Sequence, residues 1–183
     1  MIRKLLLGFA VFILALIVVV ALQPSEFQVS RSMKIAAPVP AVFAKVNDFH
    51  EWDAWSPWAK LDPNMKQTYE GSPTGKGAIY SWDGNDQVGK GKMTITDSKP
   101  EEQVLILLEF ERPIAATNAA AFTFKPEGDQ TVVTWSMSGT NGFIAKAFHL
   151  VMNIDKLLGE DFEKGLTKLK EVVEGTPKPP RET

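Results

Sequence analysis

Residues 153–174 constrain the fold of this chain more than any other segment. Their apolar side chains recur at steps of three and four, which is the periodicity of one face of an α-helix. The stripe consists of Ile154, Leu157, Leu158, Phe162, Leu166, Leu169 and Val173. We predict a helix that begins at Asn153, a favourable N-cap residue, and ends before Gly175 and Pro177.

The partner of this helix must be an equally long apolar surface. The predicted helix is about 33 Å long, because each helical residue adds about 1.5 Å. Its other side is polar, and Glu160 and Lys164 have the spacing of a helical ion pair. The residues before it form short apolar and alternating segments that are separated by turn residues, a pattern typical of antiparallel strands. We therefore expect an α+β fold in which a curved antiparallel sheet wraps around the helix.

The strands and two short helices can be placed from these patterns. The predicted strands are residues 27–35, 67–70, 78–82, 89–97, 103–110, 119–125 and 131–138. A short helix at 40–46 is indicated by Pro40 in its first turn. A second short helix at 143–151 is expected to lead into the long one.

The N-terminus carries a candidate membrane anchor. Residues 5–22 are an unbroken apolar run, long enough to cross a hydrocarbon core of about 30 Å. Arg3 and Lys4 precede it, so the positive-inside rule predicts a cytoplasmic N-terminus and an extracytoplasmic domain. This would be a single-pass protein of the bacterial cell membrane, with a periplasmic domain in a Gram-negative cell. The alternative is a signal peptide cleaved after Ala21.

These features divide the chain into three parts. We predict an anchor at 1–24, one folded domain at 25–175 and a polar, proline-rich, disordered tail at 176–183. The net charge of −2 provides no electrostatic basis for binding nucleic acid. The absence of cysteine excludes disulfides and thiolate chemistry.

Five local sequences give the domain a recognisable resemblance. They are the segment IAAP at 35–38, the segment NDF at 47–49 with the tryptophans that follow it, the glycines before YSW at 80–82, the strand TVVTWSM at 131–137 and the segment GEDFEKGL at 159–166. With these features the chain resembles the SRPBCC superfamily, also called START-like or Bet v 1-like. Within it, the chain is similar to the bacterial polyketide cyclase/dehydrase and lipid-transport group.

The resemblance implies a helix-grip fold with an apolar cavity between the sheet and the C-terminal helix. We expect this cavity to bind a hydrophobic small molecule or lipid, without a cofactor or metal. The candidate ligand-binding residues are Trp52, Trp55, Trp82, Met93, Ile95, Phe110, Phe122, Phe124, Trp135, Met137, Phe162, Gly165 and Leu166. Gly165 removes bulk from the apolar stripe, which leaves room either for ligand or for a strand.

The cluster Trp52, Trp55 and Trp58 lies in an irregular segment that contains Pro57. Three interpretations remain open for it. The tryptophans could be part of the core, they could cover the mouth of the cavity, or they could rest at the lipid headgroups.

Two further functions are compatible with the same fold. A cyclase-like or hydrolase-like enzyme would need a polar residue in the cavity, for which Glu109, Arg112 and His50 are the candidates. The plainer interpretation places Glu109 and Glu111 on the outer face of the sheet and makes His50 a loop residue or helix cap. The other alternative is an envelope module that acts through its surface and has a filled core.

Overall fold

The computed structural model describes residues 2–175, apart from the side chains at positions 149 and 151. It contains the helices α1 (Ile2–Ala21), α2 (Val39–Asn47), α3 (Phe143–Val151) and α4 (Ile154–Gly175). The strands are β1 (Glu26–Ile35), β2 (Lys66–Gly71), β3 (Ala78–Asp83), β4 (Lys90–Lys99), β5 (Gln103–Arg112), β6 (Ala116–Glu127) and β7 (Gln130–Thr140). A 3₁₀ turn at Phe49–Ala54 follows α2. The predicted tail lies outside the described residues.

All seven strands form one antiparallel sheet in the order β1-β7-β6-β5-β4-β3-β2. Every strand and helix predicted from the sequence is present, with ends that differ by a few residues at most. The sheet curves around α4, which packs on the edge strand β1 and its neighbours. The predicted α+β helix-grip architecture is therefore confirmed.

The start of α4 is capped as predicted. The side-chain Oδ1 of Asn153 accepts a hydrogen bond from the backbone N–H of Lys156 at 3.0 Å. The predicted pairing of Glu160 with Lys164 is wrong, because Lys164 instead binds Asp161 at 2.8 Å. The carboxylate of Asp161 lies three residues away on the same side of the helix, within easier reach of the ammonium group.

The apolar stripe of α4 packs on the sheet with one exception. Phe162, Leu166 and Leu169 are fully buried, whereas Leu157 is exposed. At about 100° per residue, Leu157 lies about 130° from the centre of the stripe formed by the others. The spacing of three and four residues was therefore not sufficient to predict that Leu157 would be buried.

An ion-pair cluster fixes the first half of α4 against β1. Arg31 of β1 donates to Glu163 at 2.9 Å and to Asp155 at 3.1 Å, so it holds two turns of the helix. The guanidinium lies directly against Gly159, where a Cβ atom would collide with it. Glycine at this position therefore allows the helix to lie close to the strand.

The helix α1 joins the domain at one end of the sheet. Only residues 22–25 separate α1 from β1, and the N–H of Asn141 donates to the carbonyl of Ser25 at 2.5 Å. We call this end, with the start of β1 and the end of β7, the proximal end, and the opposite end the distal end. The helix α3 begins at the proximal end beside α1, where Lys146 Nζ donates to the carbonyl of Ala21 at 3.4 Å.

Candidate functional site

The concave face of the sheet is the surface that curves around α4. Alternate side chains of each strand point to it, and the strand register arranges them in rows that cross the sheet. All eight sheet residues predicted to line a cavity lie on this face: Trp82, Met93, Ile95, Phe110, Phe122, Phe124, Trp135 and Met137. The period-two reading of the strands was therefore correct for every one of them.

The burial of the rows changes abruptly along the sheet. One row joins Ile95, Ile106, Ala120 and Met137, and all four side chains are buried. The next row toward the proximal end joins Tyr80, Met93, Leu108 and Asn118, and its first three side chains are only half-buried. The fully buried part of the concave face therefore ends between these two rows.

A further row continues the open surface to the proximal end of the sheet. It contains Trp82, Gly91, Phe110 and Ala116. Phe110 is half-buried, whereas Trp82 is buried because Gly91 leaves space for its indole. A Cβ atom on Gly91 would lie 2.7 Å from the Trp82 ring. We call these two rows together the open rows.

The remaining part of the concave face is filled by stacked aromatic rings. Trp135 lies 4.3 Å from Phe162 of α4 in a parallel stack and 4.9 Å from Phe122. Trp52 and Trp55 lie 4.5 Å apart and close this cluster from the side. Phe124, Phe162 and Leu166, also predicted to line a cavity, are buried in the same core. We call this part the filled half.

Two indoles of the filled half donate to backbone carbonyls. Trp52 Nε1–H donates to the carbonyl of Val46 at 2.9 Å, and Trp55 Nε1–H donates to the carbonyl of Lys45 at 3.0 Å. These bonds fix the irregular segment to the end of α2. Of the three interpretations of the tryptophan cluster, Trp52 and Trp55 fit the core, and Trp58 alone is half-buried.

The space left by Gly165 is occupied by protein. A Cβ atom at this position would lie 2.7 Å from the Trp135 ring and 3.1 Å from Cδ of Pro57. Of the two alternatives stated for this glycine, the structure therefore favours the one in which it makes room for a strand.

The floor of the open rows is lined by a chain of aromatic rings. It runs from His50 to Tyr69 at 4.1 Å, to Tyr80 at 5.3 Å, to Trp82 at 5.9 Å and to Phe110 at 5.8 Å. Only the last two of these, Trp82 and Phe110, are among the wall residues predicted from the sequence. Tyr80 and Leu108 were missed, although each precedes a predicted wall residue by two positions and therefore shares its face.

The polar groups at the opening are neutral donors and acceptors. Burial, with the neighbouring Tyr69 and Asp53, raises the pKa of Tyr80 far above the usual range for a phenol. Burial also raises the pKa of Tyr69. Asn118 points its amide against Gly139 and is buried. These groups can orient a ligand by hydrogen bonding, but the tyrosines do not supply a base at neutral pH.

The predicted catalytic candidates do not meet in the open rows. Glu109 binds Lys92 at 3.1 Å on the outer face of the sheet, as the plainer interpretation expected. Arg112 binds Asp83 at 2.6 Å at the end of its strand. His50 Nδ1 lies 2.8 Å from Oδ1 of Asp48, which also accepts the backbone N–H of His50 as the cap of the 3₁₀ turn.

An open groove lies beside the filled half at the junction of α3 and α4. Its volume is about 550 Å³. It is lined by Phe27, Gln28, Val29, Leu150, Met152, Asn153, Ile154 and Asp155. The groove therefore joins the start of β1 to the start of α4 and extends the accessible surface at the proximal end.

The fold is that of a helix-grip domain, in which a curved antiparallel sheet surrounds a long C-terminal helix. The sequence profile of the family described as "Polyketide cyclase / dehydrase and lipid transport" matches residues 26–174. The chain therefore belongs to this family, as the resemblance had indicated. No curated protein matches the sequence.

Solved structures share the fold at low sequence identity. Protein CV1439 from Chromobacterium violaceum is 13% identical, with a TM-score of 0.57, and the match covers 83% of this chain and 99% of that one. CalU16 from Micromonospora echinospora is 16% identical, with a TM-score of 0.55 and coverage of 86% and 88%. The di-domain ARO/CYC BexL of the BE-7585A biosynthetic pathway is 15% identical, with a TM-score of 0.60 over 86% of this chain and 53% of BexL.

Proposed function

We propose that this chain is a membrane-anchored module that binds a hydrophobic small molecule or a lipid on the open rows of its helix-grip domain. The observation that carries the proposal is the change in burial along the concave face. Ile95 and Ile106 are covered, whereas Met93 and Leu108 in the adjacent row keep accessible apolar surface.

The affinity would come from removing this surface from water. Covering about 100 Å² of apolar surface contributes about 2.5 kcal/mol, at roughly 25 cal/mol per Å². Phe110 and Trp82 add flat rings against which a hydrocarbon chain or ring system can pack. The phenol of Tyr80 and the amide of Asn118 lie on the same surface and would fix the polar part of the ligand.

The anchoring is supported by the length and surface of α1. The helix has 20 residues, and its length of about 30 Å matches the hydrocarbon core of a bilayer. Nearly all of its large apolar side chains are exposed, and Val20 is its one buried residue within the described part of the chain. With Arg3 and Lys4 in the cytoplasm, the domain would face the periplasm or the cell exterior.

Two neighbouring positions on β4 give a matched test of the binding surface. Met93 faces the open rows, whereas Thr94 points to the other side of the sheet. The full chain in nanodiscs would be titrated with a fluorescent fatty acid. We expect Met93→Lys to weaken binding at least about tenfold, equivalent to about 1.4 kcal/mol, and Thr94→Lys to leave it unchanged.

Equal affinity in the two variants would place the ligand elsewhere. Failure of the unmodified chain to bind any apolar probe, together with the absence of co-purified lipid in native mass spectrometry, would reject the binding function.

The anchor is tested separately by extraction of membranes at alkaline pH and by the mass of the mature N-terminus. A mature chain that begins near Leu22 would identify the segment as a cleaved signal peptide.

A cyclase-like enzyme is the second candidate, because Tyr80 and Asn118 bring two polar groups to an otherwise apolar surface. In that case Tyr80→Phe would abolish turnover of a bound polyketone and retain its binding. Under the binding hypothesis the same substitution changes affinity only, and product analysis by mass spectrometry separates the two outcomes.

A further inference from the structure

We propose that the proximal end of the domain lies on the membrane that α1 spans, with α3 in the headgroup layer and the open rows facing the lipid. The proposal rests on the membrane anchoring in the proposed function and names the source of the ligand, which is a lipid entering from the bilayer. Three observations support it: the distribution of exposed apolar residues, the short connection between α1 and β1, and the position of α3.

The exposed apolar residues of the domain are confined to one end. Among the described residues after Leu22, the large apolar side chains classed as exposed are Leu61, Ile114, Phe143, Ile144, Phe148, Leu150, Met152 and Leu157. They lie in α3, in its junction with α4, in the first turn of α4 and in the segments that adjoin the proximal strand ends. The described distal turns contribute none. Scattered exposure would need no explanation, but a cluster at one end marks an interaction surface.

The distal end has the opposite character. Its β4–β5 turn contains Glu101 and Glu102, and its β6–β7 turn contains Asp129, all of them exposed. Both ends carry exposed polar residues, but among the described residues of the domain only the proximal end also carries exposed large apolar side chains. Such an asymmetry suits a domain with one end on a bilayer and the other in water.

The tether keeps the apolar end at the membrane. Residues 22–25 are the whole connection between α1 and β1. Even fully extended, four residues span only about 14 Å, at roughly 3.3–3.6 Å each. The headgroup layer adds about 5–8 Å to each side of the hydrocarbon core. The start of β1 therefore stays within reach of the lipid surface in every orientation of the domain.

The helix α3 has the surface that an interfacial helix needs. Phe143 is 52%, Ile144 is 64% and Phe148 is 49% exposed, so aromatic and aliphatic side chains share its outer side. Lys146 points to the end of α1, where its ammonium donates to the carbonyl of Ala21. A helix with an apolar face of this kind inserts that face about 5–10 Å into the boundary of headgroups and acyl chains.

Ile114 shows that the contact would extend beyond α3. It is 54% exposed in the β5–β6 turn, which follows Phe110 of the open rows at the proximal end of the sheet. With both Ile114 and α3 in contact with lipid, an acyl chain would reach Phe110 and Met93 without crossing water.

Single-cysteine labelling tests this arrangement directly, because the chain has no cysteine of its own. The full chain would be reconstituted in phosphatidylcholine and phosphatidylglycerol vesicles and labelled with a polarity-sensitive fluorophore. The labelled variants are Phe148→Cys, Ile114→Cys, Glu102→Cys and Val11→Cys. Quenching by lipids with a spin label near the headgroup is compared with quenching by aqueous iodide.

We expect the labels at Phe148 and Ile114 to lose most of their fluorescence to the lipid quencher and to shift to the blue. The label at Glu102 should respond only to iodide. A lipid-quenched label at Val11 with iodide-quenched labels at both Phe148 and Ile114 would overturn this inference and leave the anchor intact. A label at Val11 that is accessible to iodide would reject the anchoring itself, and with it this inference.

Discussion

The two halves of the concave face are built from similar side chains and differ in what covers them. In the filled half, Trp135 is stacked between Phe122 and Phe162, and no ring surface is left for a ligand. In the open rows, Tyr80 and Phe110 have the same inward orientation but are only half-buried, although Tyr80 also contacts Phe49 of the 3₁₀ turn. Helix and loop therefore cover only part of the concave face of this helix grip, and the proximal end of that face keeps half-buried apolar side chains.

The position of the covering elements explains this difference. The stripe of α4 and the irregular segment at Trp52 and Trp55 both converge on Trp135. Arg31 fixes the first turns of α4 over the edge strand β1, on the side of the sheet away from β3 and β4. The open rows on β3 and β4 therefore lie away from the edge of the sheet on which α4 packs.

We expect the greatest loss of stability from a substitution at the centre of the filled half. Trp135→Ala removes a ring that contacts five other aromatic residues, so we expect it to lower the free energy of unfolding by about 3–5 kcal/mol. Urea unfolding of the full chain in micelles, followed by circular dichroism, measures this loss. Trp58→Ala, on the half-buried neighbour, is the control and should cost clearly less. Equal losses would mean that the cluster is less tightly packed than the ring distances indicate.

Two substitutions on β5 test the difference in burial between the filled half and the open rows. Ile106 and Leu108 share a face and are one row apart, but only Ile106 is fully covered. Ile106→Ala should cost about 2–5 kcal/mol of unfolding free energy, because it leaves a cavity in the core. Leu108→Ala should cost less than half of that and should weaken binding of the fluorescent fatty acid. The opposite order of stability losses would contradict the boundary drawn between these two rows.

Periodicity predicted the fold because each element has a strong local signal. The spacing of Phe162, Leu166 and Leu169 predicted a helix with one buried face, and alternation at Val133, Trp135 and Met137 predicted a strand. These signals depend on neighbouring residues only, so a single sequence carries them. The same alternation correctly placed every predicted sheet residue on the concave face.

The site could be predicted only in part, because coverage is a tertiary property. Ile95 and Met93 have the same orientation on the same strand, yet one is buried under helix and loop while the other is half-open. No local pattern separates them. Likewise, the irregular segment at Trp52 gave no signal that its indoles would bind the carbonyls of α2 and fill the core.

We expect the smallest loss of stability from a substitution in the ion pair at the start of α4. The hydrogen bond from Arg31 holds the pKa of Asp155 below its usual range. A depressed carboxyl pKa stabilises the fold above the unfolded value, near pH 4, and this contribution is lost as the pH falls through the folded value. Asp155→Asn should therefore reduce the melting temperature slightly at pH 7 and have no effect at pH values below the folded pKa.

The control for this titration is Lys156→Gln, on the adjacent exposed residue, which leaves Arg31 and its partners in place. Its melting temperature should follow that of the unmodified chain from pH 7 to low pH. If Asp155→Asn also followed it, the ion pair would contribute nothing to holding α4. In that case the pairing of Arg31 with Glu163 and the aromatic stacking on Trp135 would position the helix and decide which half of the concave face stays open.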